Sequence, residues 1–205
     1  MFEMTGSDAN LLTALMIGVG LSASCGFRVF VPLLAMGLAG AAGEITLSDD
    51  FAWVQSTPVL IGLGIATLLE VGAYYVPWID NMLDTIAGPS ALVAGTVATA
   101  AVMPEMSPML EWSIAAIVGG GSAGVVQLGT TLTRGASTAT TGGLGNPLVS
   151  TAELGGAAAT ASLAIFIPIL AFILVTIIFF FAFRAIFRFI GRRMNKQPTG
   201  SAPAT

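Results

Sequence analysis

Arg28, Glu70 and Arg134 are ionisable side chains set in stretches otherwise built of apolar and small residues. Arg28 stands in "VGLSASCGFRVFVPLLAMG", two residues after Gly26 and four before Pro32. A charge near the middle of a bilayer costs at least about 2.5–3.5 kcal/mol on insertion scales, so this guanidinium must face a bundle interior or a watery cavity and find a partner. Three roles fit it: a structural ion pair, with Glu70 the natural partner; a cation that accepts an anionic group or gates a pathway; or a boundary position from which the side chain snorkels to the interface. Glu70 lies about two turns before Pro77, deep enough to be costly if it were ionised and facing lipid. It is therefore paired with Arg28 or Arg134, or protonated, and as a free carboxylate it would carry a proton or a cation.

The stretch "TTLTRGASTATTGGLGNP" offers a second cation, Arg134, with hydroxyls at Ser137, Thr138, Thr140 and Thr141 and an amide at Asn146. The glycines between 142 and 145 let backbone N–H groups approach a ligand closely, and a helix N-terminus follows. That inventory suits an anion or a polar headgroup. The competing reading is a flexible external loop. Ser150-x-x-Glu153 has the spacing of a capping box, which gives Glu153 a structural role at the head of the last helix. Asp80 and Asp84, four residues apart on one helical face, would present two oxygens to a hard cation such as Mg²⁺, or else form a solvated interfacial face. With one cysteine, Cys25, and no histidine, zinc chemistry and histidine-based catalysis are excluded, and no cofactor is implied.

The elements that must position these residues are membrane-spanning helices. Of 205 residues, 55% are apolar and 9% charged, where a soluble domain carries about 25% charged residues. At roughly 20 helical residues per crossing, the chain holds about five or six crossings and no second, soluble domain. The formal charge is −4, yet Arg184, Arg188, Arg192, Arg193 and Lys196 gather in the tail, five of seven cations. Continuing a hydrophobic run, they read as a cytoplasmic anchor of the C-terminus and not as a nucleic-acid patch.

Residues 9–41 are too long for one upright span and short for two, so a tilted, interrupted helix or a re-entrant hairpin is expected, broken near 22–32. A span from Thr57 to about Pro77 follows, with Tyr74, Tyr75 and Trp78 as its interfacial aromatic belt. Ile79, Met82, Leu83 and Ile86 fall on the opposite helical face from Asp80, Asn81, Asp84 and Thr85, the pattern of a short interfacial helix. A third span runs from about Pro89 to Met103. A fourth starts at Pro108 and is weakened at Gly119–Gly121. Residues 131–150 read as a second broken or re-entrant segment, Ser150 to about Arg192 as one long helix kinked at Pro168, and residues 196–205 as a disordered tail.

At "GLSASCGFRVFVPLL", "AYYVPWIDNMLDTI" and "STATTGGLGNPLVSTAE" the chain resembles a bacterial membrane family catalogued as domain of unknown function 4126, over about residues 10–190. The resemblance implies an all-helical integral protein of the inner membrane and implies no activity. The expectation drawn from the residues is an all-α, polytopic bundle acting as a small transporter or channel-like protein and not as an enzyme. Its polar site would use Arg28, Glu70, Arg134, Ser137, Thr138, Thr140, Thr141 and Asn146. Partners are the bilayer, an anionic small molecule or lipid headgroup, and a second copy of the chain. The alternative is a non-catalytic accessory or assembly subunit, and an intramembrane lipid enzyme using Asp80 and Asp84 with a divalent metal ranks behind both.

Overall fold

Gly, Pro and clusters of small polar residues punctuate the apolar runs, and the chain breaks into short helices at those points. The computed structural model describes the backbone of residues 6–194, and the side chains of all of these except 6–9, 77, 78, 80, 81, 185, 186 and 189–194. The side chains of Asp80, Arg192 and Arg193, together with Lys196 and the tail, thus lie outside the described residues.

Among the described residues the fold is all-α, with no strand. The elements are α1 (Gly6–Cys25), α2 (Phe30–Ala42), a 3-10 helix (Asp49–Gln55), α3 (Thr57–Ala73), α4 (Pro77–Ala100), α5 (Pro108–Ile114), a π-helical segment (Ala115–Gly120), α6 (Gly121–Thr141), α7 (Asn146–Phe166) and α8 (Pro168–Met194). α1 is the hub, touching α2, α4, α6, α7 and α8.

Its small residues make that possible. A Cβ on Gly20 would stand 2.6 Å from the Cβ of Ala164, so the backbones of α1 and α7 approach as closely as they do only because neither residue is large. The hydroxyls of α1 serve as cross-links: Ser22 donates to the carbonyl of Gly95 at 2.5 Å and meets Thr99 at 2.7 Å, while Ser24 donates to the carbonyl of Ala157 at 2.7 Å. The core around Leu21, Cys25 and Met36 is filled mostly by alanines, among them Ala91 and Ala98 of α4, Ala161 of α7 and Ala171 of α8. Large apolar side chains point outward instead, among them Leu68, Ile117, Leu132, Phe180 and Phe187. A polar, small-residue interior inside an apolar exterior is the arrangement a bilayer selects.

Among the described residues, two helices, Pro108–Thr141 with its π-helical turn and Asn146–Phe166, are long and apolar enough to cross a membrane. The 3-10 helix and α3, bent by 68° at their junction, make a third if taken as one span.

The interruption expected near 22–32 falls at residues 26–29, between α1 and α2, and Pro32 fits inside the first turn of α2, where an N–H has no helical partner to lose. Three boundaries differ from expectation. Residues 131–141 are helical and only 142–145 form a turn, with Gly142 and Gly143 at φ of 63° and 92°. The threonine hydroxyls are satisfied inside the helix, Thr133 by the carbonyl of Gly129 at 2.9 Å and Thr140 by that of Ala136 at 2.8 Å. The interfacial helix and the third span are one helix, α4, with Pro89 in its interior. The long final helix is two, separated at Ile167, whose φ of −139° and ψ of 67° end α7 before Pro168 starts α8.

Candidate functional site

Five elements converge on one buried cluster of charge. The break between α1 and α2 supplies Arg28, the C-terminal end of α3 supplies Tyr74, α4 supplies Asp84, α6 supplies Arg134, and α7 supplies Ser150 and Glu153. Arg28 is 2% exposed, Arg134 4% and Glu153 5%.

Both guanidiniums meet the same carboxylate. Arg28 Nη2 lies 3.3 Å from Glu153 Oε2 and donates to the hydroxyl and the carbonyl of Ser150 at 2.6 and 3.1 Å. Arg134 Nε donates to both oxygens of Glu153 at 2.9 and 3.1 Å, and its Nη2 also bonds Oε2. Arg134 Nη1 lies 3.5 Å from Asp84, the partly exposed outer member of the group. The Tyr74 ring packs against both cations, with its centroid 3.6 Å from the guanidinium carbon of Arg28 and 4.3 Å from that of Arg134. Arg28 Nε and Nη1 are buried without an acceptor. The cluster therefore balances two cations against two carboxylates while leaving hydrogen-bond donors in excess.

Arg28 and Arg134, read separately in sequence, are thus brought together. The pairing of Arg28 with Glu70 is not made. Glu70 instead accepts the backbone N–H of Val29 at 2.7 Å on one oxygen and that of Phe30 at 3.0 Å on the other, satisfying donors at the N-terminus of α2. The capping-box reading of Glu153 is also overturned: α7 begins at Asn146, so Ser150 and Glu153 lie inside the helix, both turned to the arginines. Tyr74, read as part of an interfacial belt, is 7% exposed beneath the cations.

Asn146 is buried one turn before Ser150 and exchanges hydrogen bonds with Thr138 at 3.2 and 3.4 Å. Ser137, Thr140 and Thr141 stay outside the cluster on the last turns of α6; Thr141 donates to the carbonyl of Ser137 and accepts the N–H of Gly145 at 2.9 Å. Asp84 faces Arg134, and no group of three His, Cys, Asp or Glu side chains suited to a metal occurs among the described residues.

Beside Tyr74, the site members that sequence reasoning missed are Ser150 and Glu153 of α7. Their signal is the face they share: Asn146, Ser150, Glu153, Ala157, Thr160 and Ala164 recur at the spacing of one helical stripe and are all buried, so the stripe of small and polar residues in α7 is its inner face.

Two apolar clefts adjoin the cluster. One, of about 460 Å³, lies between α2, α3 and α4 and reaches Glu70 and Tyr74. The other, of about 550 Å³, lies between α6, α7 and α8 and reaches Glu153.

No curated protein and no solved structure matches the chain. The family model described as Domain of unknown function (DUF4126) matches residues 15–188, and the chain, with its motif-bearing segments forming this buried cluster, belongs to that family.

Proposed function

We propose that the protein is a small, multi-pass transporter or channel-like protein of the bacterial inner membrane, with five or six crossings, a cytoplasmic C-terminus and an anion-accepting site where Arg28 and Arg134 meet. One observation carries this reading. Two carboxylates balance the two cations in charge, but both buried guanidiniums share Glu153 and Arg28 keeps two nitrogen positions without acceptors. Buried donors left unmet cost about 1–3 kcal/mol each, an expense that an anion visiting the site relieves. No reaction step is part of the proposal.

The test is anion release from proteoliposomes loaded in turn with chloride, phosphate or acetate. Wild-type protein should release one of these faster than protein-free vesicles do, and the folded Arg28→Gln variant should not. Equal rates for all three anions with and without protein would sink the reading. The orientation is checked by a C-terminal green-fluorescent-protein fusion, which is dark if that end faces the periplasm.

A second reading, a non-catalytic accessory subunit whose charges specify helix packing, is favoured by the overall balance of two cations against two carboxylates and by the lack of an arginine in the lining of either cleft. It predicts that the paired Arg28→Gln and Glu153→Gln substitutions loosen an isolated complex while leaving every flux unchanged.

A further inference from the structure

Glu70 is the buried charge that the cluster leaves over. Arg28 and Arg134 are set against Glu153 and Asp84, and among the described residues no cation lies within ion-pairing distance of Glu70. Arg28, close by in sequence to the helix start that Glu70 meets, turns its guanidinium to Ser150 and Glu153 instead. The partners of Glu70 are the backbone N–H groups of Val29 and Phe30, one on each oxygen. These donors are neutral. They solvate the carboxylate without cancelling its charge, and each oxygen keeps a second lone pair. A carboxylate only 8% exposed and set among apolar helices is costly until a countercharge reaches it.

The route to it is the apolar cleft between α2, α3 and α4. Glu70 is the one charged residue in the lining of its roughly 460 Å³, a volume in the range of small-molecule sites. Leu69 and Ile86, also in the lining, are 67% and 61% exposed, so the cleft opens on the apolar outer surface of the bundle. A further cleft of about 420 Å³ shares Val29, Phe30 and Ser90 with it and continues between α2 and α4 to Leu33 and Val97. Apart from Ser90 that continuation is lined by apolar side chains alone. A negative charge at one end and an uncharged apolar trough at the other together describe an occupant with a cationic head and a hydrocarbon body.

We infer that this pair of clefts binds an amphiphilic organic cation, an alkylammonium entering from the bilayer, with its head against Glu70 and its chain along the trough between α2 and α4. The site lies apart from the one where the two arginines meet and does not depend on the anion-accepting reading. Its specificity follows from the lining. An anionic head would meet Glu70 with no cation in the lining to offset the repulsion, and an uncharged chain would leave the carboxylate as it stands. The N–H groups of Val29 and Phe30 serve the ligand indirectly, by fixing both carboxylate oxygens in place before it arrives.

Native mass spectrometry of the full chain in neutral maltoside micelles tests this with dodecyltrimethylammonium as probe. Dodecyl phosphate, with the same chain and the opposite charge, and tetramethylammonium, with the same head and no chain, are the comparators. The probe should be retained at one per chain, and both comparators tenfold or more weakly. Glu70→Gln, which keeps an acceptor for one N–H but removes the charge, should weaken retention of the probe by tenfold or more. Ala66→Phe, which fills the cleft and leaves every charge in place, should abolish retention while the thermal unfolding midpoint stays near wild type; it carries the test if Glu70→Gln does not fold. Dodecyl phosphate or tetramethylammonium held as tightly as the probe, or retention of the probe unchanged by Glu70→Gln or by Ala66→Phe, would each overturn the inference. Anion release without retention of the probe defeats this inference alone, whereas retention without anion release defeats only the transport reading.

Discussion

Glu153 holds the charged cluster together because, among the described residues, it is the carboxylate that both buried arginines touch. Removing one member of a buried charge group leaves the others uncompensated, at a cost of about 3–5 kcal/mol. Glu153→Gln should lower stability by that order, while Ser150→Ala, which removes a hydroxyl acceptor of Arg28, should cost about 1–3 kcal/mol. Because the effect is one of balance, the pair Arg134→Gln with Glu153→Gln should be more stable than Glu153→Gln alone, an inequality that thermal unfolding in micelles reads directly. A double variant no better than the single would mean that Glu153 acts through packing and not through charge. At this scale the cations were legible and their partner was not. A lone arginine in an apolar run advertises its cost, whereas a glutamate three residues after a serine matches a helix-start pattern equally well, and only the position of the helix start at Asn146 decides between them.

The elements are shaped by close approach more than by propensity. Gly26 ends α1, and a Cβ there would fall 2.5 Å from the carbonyl oxygen of Ala123 and 2.6 Å from the Cβ of Val126, both on α6. Its φ is not positive, so alanine would suit the backbone and offend only the neighbour. Gly26→Ala should therefore force α1 away from α6 and destabilise by about 1–3 kcal/mol, the usual range for overpacking. Gly62, inside α3, supplies the contrast, since a Cβ added there would meet nothing within 4 Å. Gly62→Ala should be neutral or stabilise by up to about 1 kcal/mol. Equal unfolding midpoints for the two variants would remove close packing as the reason for Gly26. The interruption of the first apolar run was legible from Gly26 and Pro32. The helix through 131–141 was not, because glycine, serine and threonine favour loops in water, and the hydroxyl-to-carbonyl bonds that satisfy those hydroxyls appear only once the helix exists.

For the whole molecule, the question is whether the charged centre communicates with the outside, and the structure shows a closed arrangement: each cleft stops at a carboxylate or at Tyr74, and neither is lined by an arginine. Composition anticipated the helical class, while the number of crossings depends on how many short helices join across Gly and Pro breaks, which chain length does not reveal. Cys25, the single cysteine, is fully buried three residues before Arg28 at the end of α1, so its thiol reports on this break. A thiol must be reached as thiolate by the reagent, and burial in an apolar core blocks both access and ionisation. In native membranes Cys25 should resist a small charged methanethiosulfonate and react fully once denatured. If the break between α1 and α2 moves when Glu70 releases Val29 and Phe30, Glu70→Gln should raise the native labelling rate severalfold. Rapid labelling of the resting wild-type protein would show that water already reaches the break, and the closed arrangement would then fail as a description of the resting state; protection unchanged by Glu70→Gln would mean that the carboxylate is no gate.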